Sequence, residues 1–131
     1  MVLSMHIDDK ITTTAARKQF NDIFPFLKLE FFRRPNNTGA GNARNNMIND
    51  ELRLSLIQRS PKKGNLEFDE HITVRDLEKR FEKEFGLFVQ VFRKSGRIWL
   101  ETTATDNWSL QQQNEEGKSI EEHLSRKKGD L

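Results

Sequence analysis

The stretch Met5-His-Ile-Asp-Asp-Lys-Ile-Thr12 returns in altered form as Leu66-Glu-Phe-Asp-Glu-His-Ile-Thr73, a shift of 61 positions. The same shift sets Lys18 on Lys79, Phe20 on Phe81 and Phe24 on Phe85. Pro25-Phe26 then faces the single Gly86, the shift drops to 60, and Leu27-Lys-Leu-Glu-Phe-Phe-Arg-Arg34 lies over Leu87-Phe-Val-Gln-Val-Phe-Arg-Lys94. One gap at a turn is what a duplicated unit tolerates, so the chain is read first as a repeat.

Each copy spells strand, helix, strand. Met5 and Ile7, like Leu66 and Phe68, alternate with polar residues at the period of a half-buried strand. Ala16, Phe20, Ile23 and Phe24, like Leu77, Phe81 and Phe85, recur at three and four and line one helical face. Thr73 with Asp76 three residues on predicts a helix cap; Thr12 is its counterpart, with Ala15 in the acid's place and so a weaker cap. Pro25 and Gly86 stop the two helices, and residues 27–33 and 87–93 alternate again. A unit of this size buries too little apolar surface alone, so the copies are expected to share a core. The resulting fold class is α+β: an internally duplicated βαββαβ, a ferredoxin-like sandwich with an extra C-terminal strand and helix. That resemblance is one of fold and implies no activity.

The expected organisation is one α+β domain over residues 1–116, with repeat copies at 5–34 and 66–94. Residues 35–46, PNNTGAGNARNN, are turn formers without period and read as a mobile loop. Ile48, Leu52 and Leu56 suit a short helix, while Leu52, Leu54 and Leu56 suit a strand. Lys94-Ser95-Gly96 predicts a hairpin into a fifth strand over 97–103, then a helix from Leu110 to about Glu116. Residues 117–131 read as a partly disordered tail in which only Ile120 and Leu124 could pack.

Composition narrows the function. The 131 residues carry 22 Lys and Arg against 20 Asp and Glu, too even a balance to name a partner. No apolar run reaches membrane-spanning length, no secretory start is readable, and the chain has no cysteine, which together suit a cytoplasmic protein. The Gly39 and Gly41 fragment lacks the rest of a phosphate-binding loop, and no catalytic signature or cofactor fingerprint appears, so no cofactor and no metal is expected.

Three readings compete. Phe32, Phe88 and Phe92 fall on the outward phase of their strands, joined by Trp99, with Trp108 placed to fold back toward them. All 12 aromatics are Phe or Trp, rings that mainly want burial, so these five residues are the candidate protein-binding surface of a non-enzymatic module, homodimeric or with another partner. The C-terminal helix is expected to cover part of that face and leave the Phe32 side the more open. The alternative is weak, sequence-nonspecific nucleic-acid binding through Arg33, Arg34, Arg59, Lys62, Lys63, Arg93, Lys94 and Arg97. Against it, the open face holds His6, Asp8, Glu67 and Asp69 where a ferredoxin-like RNA reader displays aromatics. The third is an enzyme or metal site in which Asp8, Asp9, Asp69 and Glu70 gather beside His6 and His71.

The run Val91-Phe-Arg-Lys-Ser-Gly-Arg-Ile-Trp-Leu-Glu-Thr-Thr103 with Thr105-Asp-Asn-Trp-Ser-Leu-Gln-Gln-Gln-Asn114 resembles a group of short bacterial proteins that carry no assigned activity. The resemblance implies a bacterial, cytoplasmic origin and transfers no functional residue.

Overall fold

The alternating stretches form five strands and the periodic ones three helices in a computed structural model that describes residues 2–35 and 44–129. In chain order these are β1 (Val2–Ile7), α1 (Thr13–Ile23), β2 (Leu27–Phe32), β3 (Gly64–Asp69), α2 (Val74–Phe85), β4 (Phe88–Ser95), β5 (Ile98–Glu101) and α3 (Leu110–Gly129). The architecture is α+β with two antiparallel sheets, β1-β3 and β2-β4-β5. One cluster holds the core. Met5, Ile7, Leu66 and Phe68 come from the first sheet, and Leu27, Leu29, Phe31, Leu87, Val89 and Val91 from the second. Phe20, Phe81 and Phe85 join them from the helices and Phe24 from the end of α1, so the expected shared core is present. Phe20 and Phe24 meet at a tilt of 49° with ring centroids 5.4 Å apart.

The sheet arrangement differs from a ferredoxin-like sandwich, which would place all four repeat strands in one sheet. Here β1 pairs with β3, and β2 pairs with β4. The edges explain the difference. Gln19 accepts from the His6 amide at 2.9 Å and donates to the His6 carbonyl at 3.1 Å, so a helix side chain satisfies the outer edge of β1. Arg80 donates to the Glu67 carbonyl at 2.6 Å and does the same for β3. Backbone groups already bonded to side chains leave no ladder for a further strand.

Helix starts follow the sequence reading. Thr12 Oγ1 accepts from the Ala15 amide and Thr73 Oγ1 from the Asp76 amide, both at 3.1 Å. Gly86 ends α2 at φ +63°, where a Cβ would also stand 3.1 Å from the Arg59 nitrogen. Most of the expected loop at 35–46 lies outside the described residues; within them, Arg44–Asn46 forms a 3-10 turn. The undecided stretch after it is neither a full helix nor a strand. It is extended, with Ile48 donating to the Phe31 carbonyl and Arg53 bridged to Thr12, and closes in a 3-10 turn at Leu54–Leu56.

The tail departs most from expectation. Helix α3 runs twelve residues past Gly117, to Gly129, instead of stopping near 116. Gly117 is buried because Phe26 and the Lys94 carbonyl crowd it; a Cβ there would lie 2.8 Å from Phe26. The glycine that reads as a helix stop is thus a close-packing point. Among the described residues no helix is long and apolar enough to cross a membrane.

Phe20 and Phe81 are fully buried in the shared cluster. Truncating either to Ala should cost about 3–5 kcal/mol, read from the urea midpoint at constant m-value. A loss below about 1 kcal/mol at either position would show that its ring does not belong to a common core.

Candidate functional site

The outer face of the three-stranded sheet follows from strand alternation. With Leu27, Leu29 and Phe31 turned inward, Lys28, Glu30 and Phe32 turn outward. Their ladder partners Phe92, Gln90 and Phe88 share that face, and β5 adds Trp99 opposite Lys94. The register therefore brings Phe32, Phe88, Phe92 and Trp99 together on one surface. Cations cover the rings: the Lys28 ammonium lies 5.7 Å from the Phe92 centroid and 5.0 Å from that of Trp99, and Arg59 lies 5.0 Å from that of Phe88. At the centre, Glu30 faces Gln90. Glu30 is buried and has Arg17 at 3.5 Å and Lys28 at 3.9 Å. The Gln90 carboxamide, 3 % exposed, has no hydrogen-bond partner among the described residues. Leaving such a group unpaired costs about 1–3 kcal/mol.

Two expectations for this surface change. The Phe32 side is not the open one: Phe32 is 2 % exposed and Phe92 6 %, while Phe88 and Trp99 are half-buried. Trp108 does not join the cluster. Its ring takes the Arg93 guanidinium at 5.7 Å, and Arg93 stands opposite Leu27 on the other phase of the sheet. The Trp108 carbonyl accepts from the Val74 amide, which ties it to the start of α2. The C-terminal helix meets this sheet near Lys94, the ladder partner of Trp99. It starts against Glu70 and Ile72, and its contacts with the sheet include Phe26, Arg93, Lys94 and Gly96 at one end.

Among the described residues, Val2, Leu56 and Leu124 are exposed singly, while β5 exposes two aliphatic side chains on one face. Ile98 is 58 % exposed and Leu100 38 %. Both are on the inward phase, but β5 pairs with Phe92–Ser95, beyond the last core residue of β4, Val91. Phase alone therefore marks them as core, although the core ends before they begin.

The paired acids do not share a site. In the β1-β3 ladder Val2 faces Asp69 and Ile7 faces Gly64, so the antiparallel register sends Asp8 and Asp69 to opposite ends of the ribbon. Each closes a turn instead. Asp8 accepts from the amides of Lys10 and Ile11, and Asp69 from that of His71. These bonds, helped by the neighbouring His6 in the first case, hold both carboxyls below the usual range. The exposed His6 ring, bonded to Asn65 at 3.0 Å and Asp8 at 2.8 Å, is raised for the same reason. Among the described residues no three His, Asp or Glu side chains meet in a way that could hold a metal ion.

The basic residues separate into two groups. Arg33 and Arg34 follow Phe32, whose partner Phe88 carries Arg59 over its ring, so these three lie toward one end of the sheet. Arg93, Lys94 and Arg97 lie at the other. There Arg93 donates to Gln113 at 2.7 Å and Lys94 is 3.9 Å from Glu121. Arg59 and Lys62 line an open cleft of about 520 Å³ together with Lys79, Lys83 and Glu82. Sequence reading misses Lys79 and Lys83. They stand four apart on the solvent side of α2, and the bond from the Arg59 amide to the Gly86 carbonyl is what brings the basic turn beside them.

It also misses Glu78. β5 ends opposite Phe92, leaving the Val91 amide without a strand partner, and Glu78 from α2 accepts it at 3.0 Å while Thr102 donates to the Val91 carbonyl. Desolvation at this edge pushes the Glu78 carboxyl up to about 8; the Val91 bond opposes the shift and Asp106 adds to it. No family model, no curated protein and no solved structure matches the chain.

A carboxyl raised on folding makes the folded state bind the extra proton, so its contribution is complete below the unfolded value near 4.5. It is lost as pH rises toward 8 and stays lost above that. The expected result is a decline in stability across that window which Glu78→Gln removes, since the amide oxygen can still accept from Val91. Parallel pH profiles for the two proteins would show that Glu78 is not the group responsible.

Proposed function

We propose that the protein is a small, non-enzymatic, cytoplasmic binding module that acts through protein–protein contacts at the β5 end of its three-stranded sheet. One observation carries this reading: Ile98 and Leu100 stay exposed on one side of β5 while Trp99 and Phe88 stay half-buried on the other side of the sheet. Phe32 and Phe92 are already buried within the chain, so the contact surface shifts from the Phe32 side toward β5. The separated acids, each engaged in a turn, support a role other than catalysis.

We also infer that the two halves descend from one duplicated unit. The reading is supported by registers in which residues meet their own counterparts, Met5 opposite Leu66 and Glu30 opposite Gln90. It is supported as well by repeated single contacts. Gln19 and Arg80 each bond the strand before their helix, at His6 and Glu67. Thr13 donates to the Leu52 carbonyl as Val74 donates to that of Trp108, and Leu54 donates to Ile11 as Leu110 donates to Ile72. These last pairs extend the unit beyond its readable sequence, into the segments after β2 and β5.

The cleft of Arg59, Lys62, Lys79 and Lys83 favours a second reading, a nucleic-acid backbone held by phosphate contacts alone. Such binding would ignore sequence and fall steeply with salt as counterions are released.

Placing a photo-crosslinking amino acid at Leu100 in living cells tests the first reading, with adducts to protein that survive nuclease as the expected result. Adducts that vanish with nuclease would transfer the case to the second reading. For that one, Lys62→Glu with Lys63→Glu should weaken binding to every labelled oligonucleotide alike. Anisotropy that does not change with salt, or with the two substitutions, would end it.

A further inference from the structure

We propose that β5 pairs antiparallel with β5 of a second copy of this chain, centred on Trp99, to form a two-fold dimer with one continuous six-stranded sheet. The inference rests on the protein-contact reading above and names the partner at that surface.

Strand β5 is the last in its sheet, bonded to β4 on one side only. A two-residue turn, Gly96 at φ +64° followed by Arg97, joins them, so Ser95 and Ile98 form the hydrogen-bonded pair that closes the hairpin. Alternation along the ladder then turns the amide and carbonyl of Trp99 toward the free edge. Two copies related by a two-fold axis beside Trp99 would each donate and accept one bond there, an isologous contact.

The sequence across that edge is complementary to itself. Read against its reverse, Arg97-Ile-Trp-Leu-Glu101 places Arg97 opposite Glu101, Ile98 opposite Leu100 and Trp99 opposite Trp99. Arg97 and Glu101 are exposed, and among the described residues neither has an ion pair. Ile98 and Leu100 are two of the five large aliphatic side chains left exposed among the described residues, and the pairing would set each against the other on one face. The charges also choose direction. A parallel, in-register copy would put Arg97 beside Arg97 and Glu101 beside Glu101, which like-charge repulsion disfavours.

Sedimentation equilibrium of the full chain tests this. Wild type should show a monomer–dimer equilibrium, and Arg97→Glu or Glu101→Arg alone should weaken it roughly tenfold by placing like charges across the axis twice. The double exchange should restore dimerisation to within about threefold, because the opposed pairs are re-formed with signs reversed. Far-UV circular dichroism identifies any variant that has lost its fold, and Leu100→Lys then serves as the replacement that should abolish the dimer. A wild type that stays monomeric to about 500 µM, far above the affinity of a specific interface, overturns the proposal. So does a dimer indifferent to the single exchanges. A monomer whose position 100 crosslinks to a different protein sinks the self-pairing alone, whereas a monomer without protein adducts sinks the protein-contact reading as well.

Discussion

Met5 lies across from Leu66 in one ladder and Glu30 across from Gln90 in the other, and every inward side chain depends on those two registers. Side-chain direction alternates at every residue, so a one-residue slip in β1-β3 would put Met5 and Ile7 on the opposite face from Leu66 and Phe68, and one pair would leave the core. The same slip in β2-β4 would set Leu27 and Leu29 on the opposite face from Val89 and Val91, so one strand would turn its aliphatic side chains out and its polar ones in. The penalty for either is one strand's share of the apolar core, larger than any single turn or cap contributes. Everything on the outer face, including the meeting of Phe32, Phe88, Phe92 and Trp99, is a by-product of that constraint.

Closing the strand edges is the second requirement, and the chain meets it mostly with side chains. Gln19 and Arg80 satisfy the outer edges of the two-stranded sheet. Ile48 and Glu78 do so for β2 and β4, one with its backbone and one with a carboxyl. Using an acid for this purpose has a consequence, because the group that accepts a buried amide must also lose its water, and its proton affinity rises. β5 keeps a free outer edge in its sheet, and its four residues carry Ile98 and Leu100, two of the exposed aliphatic side chains among the described residues.

Charge plays a local part in this molecule. The basic residues that look like one patch in sequence are spread over two ends of the sheet, where Phe88, Trp108, Gln113 and Glu121 engage several of them. The acids are spread likewise, because the antiparallel β1-β3 ladder sends Asp8 and Asp69 to opposite ends. A near-even charge balance is therefore resolved into pairs and caps, with one basic cleft beside α2 left over.

Sequence alone determined what depends on neighbours along the chain. The alternation around Met5 and Leu66, the three-and-four spacing of the phenylalanines, the threonine caps and the Gly86 stop are local rules, and each reappears in the folded chain. Phase likewise told which residues share a strand face, so Trp99 falls with Phe88 and Phe92 as read. Phase could not tell where the core ends, which is why Ile98 and Leu100 lie on the inward phase and are exposed. Which strand pairs with which was decided only in three dimensions, by helix side chains that close one set of edges and leave another. Gly117 makes the same point at a single residue: in sequence it follows the expected end of the helix, and against Phe26 its lack of a Cβ lets α3 pass. The limit has one physical cause, since periodicity reports direction from the backbone, and burial depends on what another part of the chain brings to meet it.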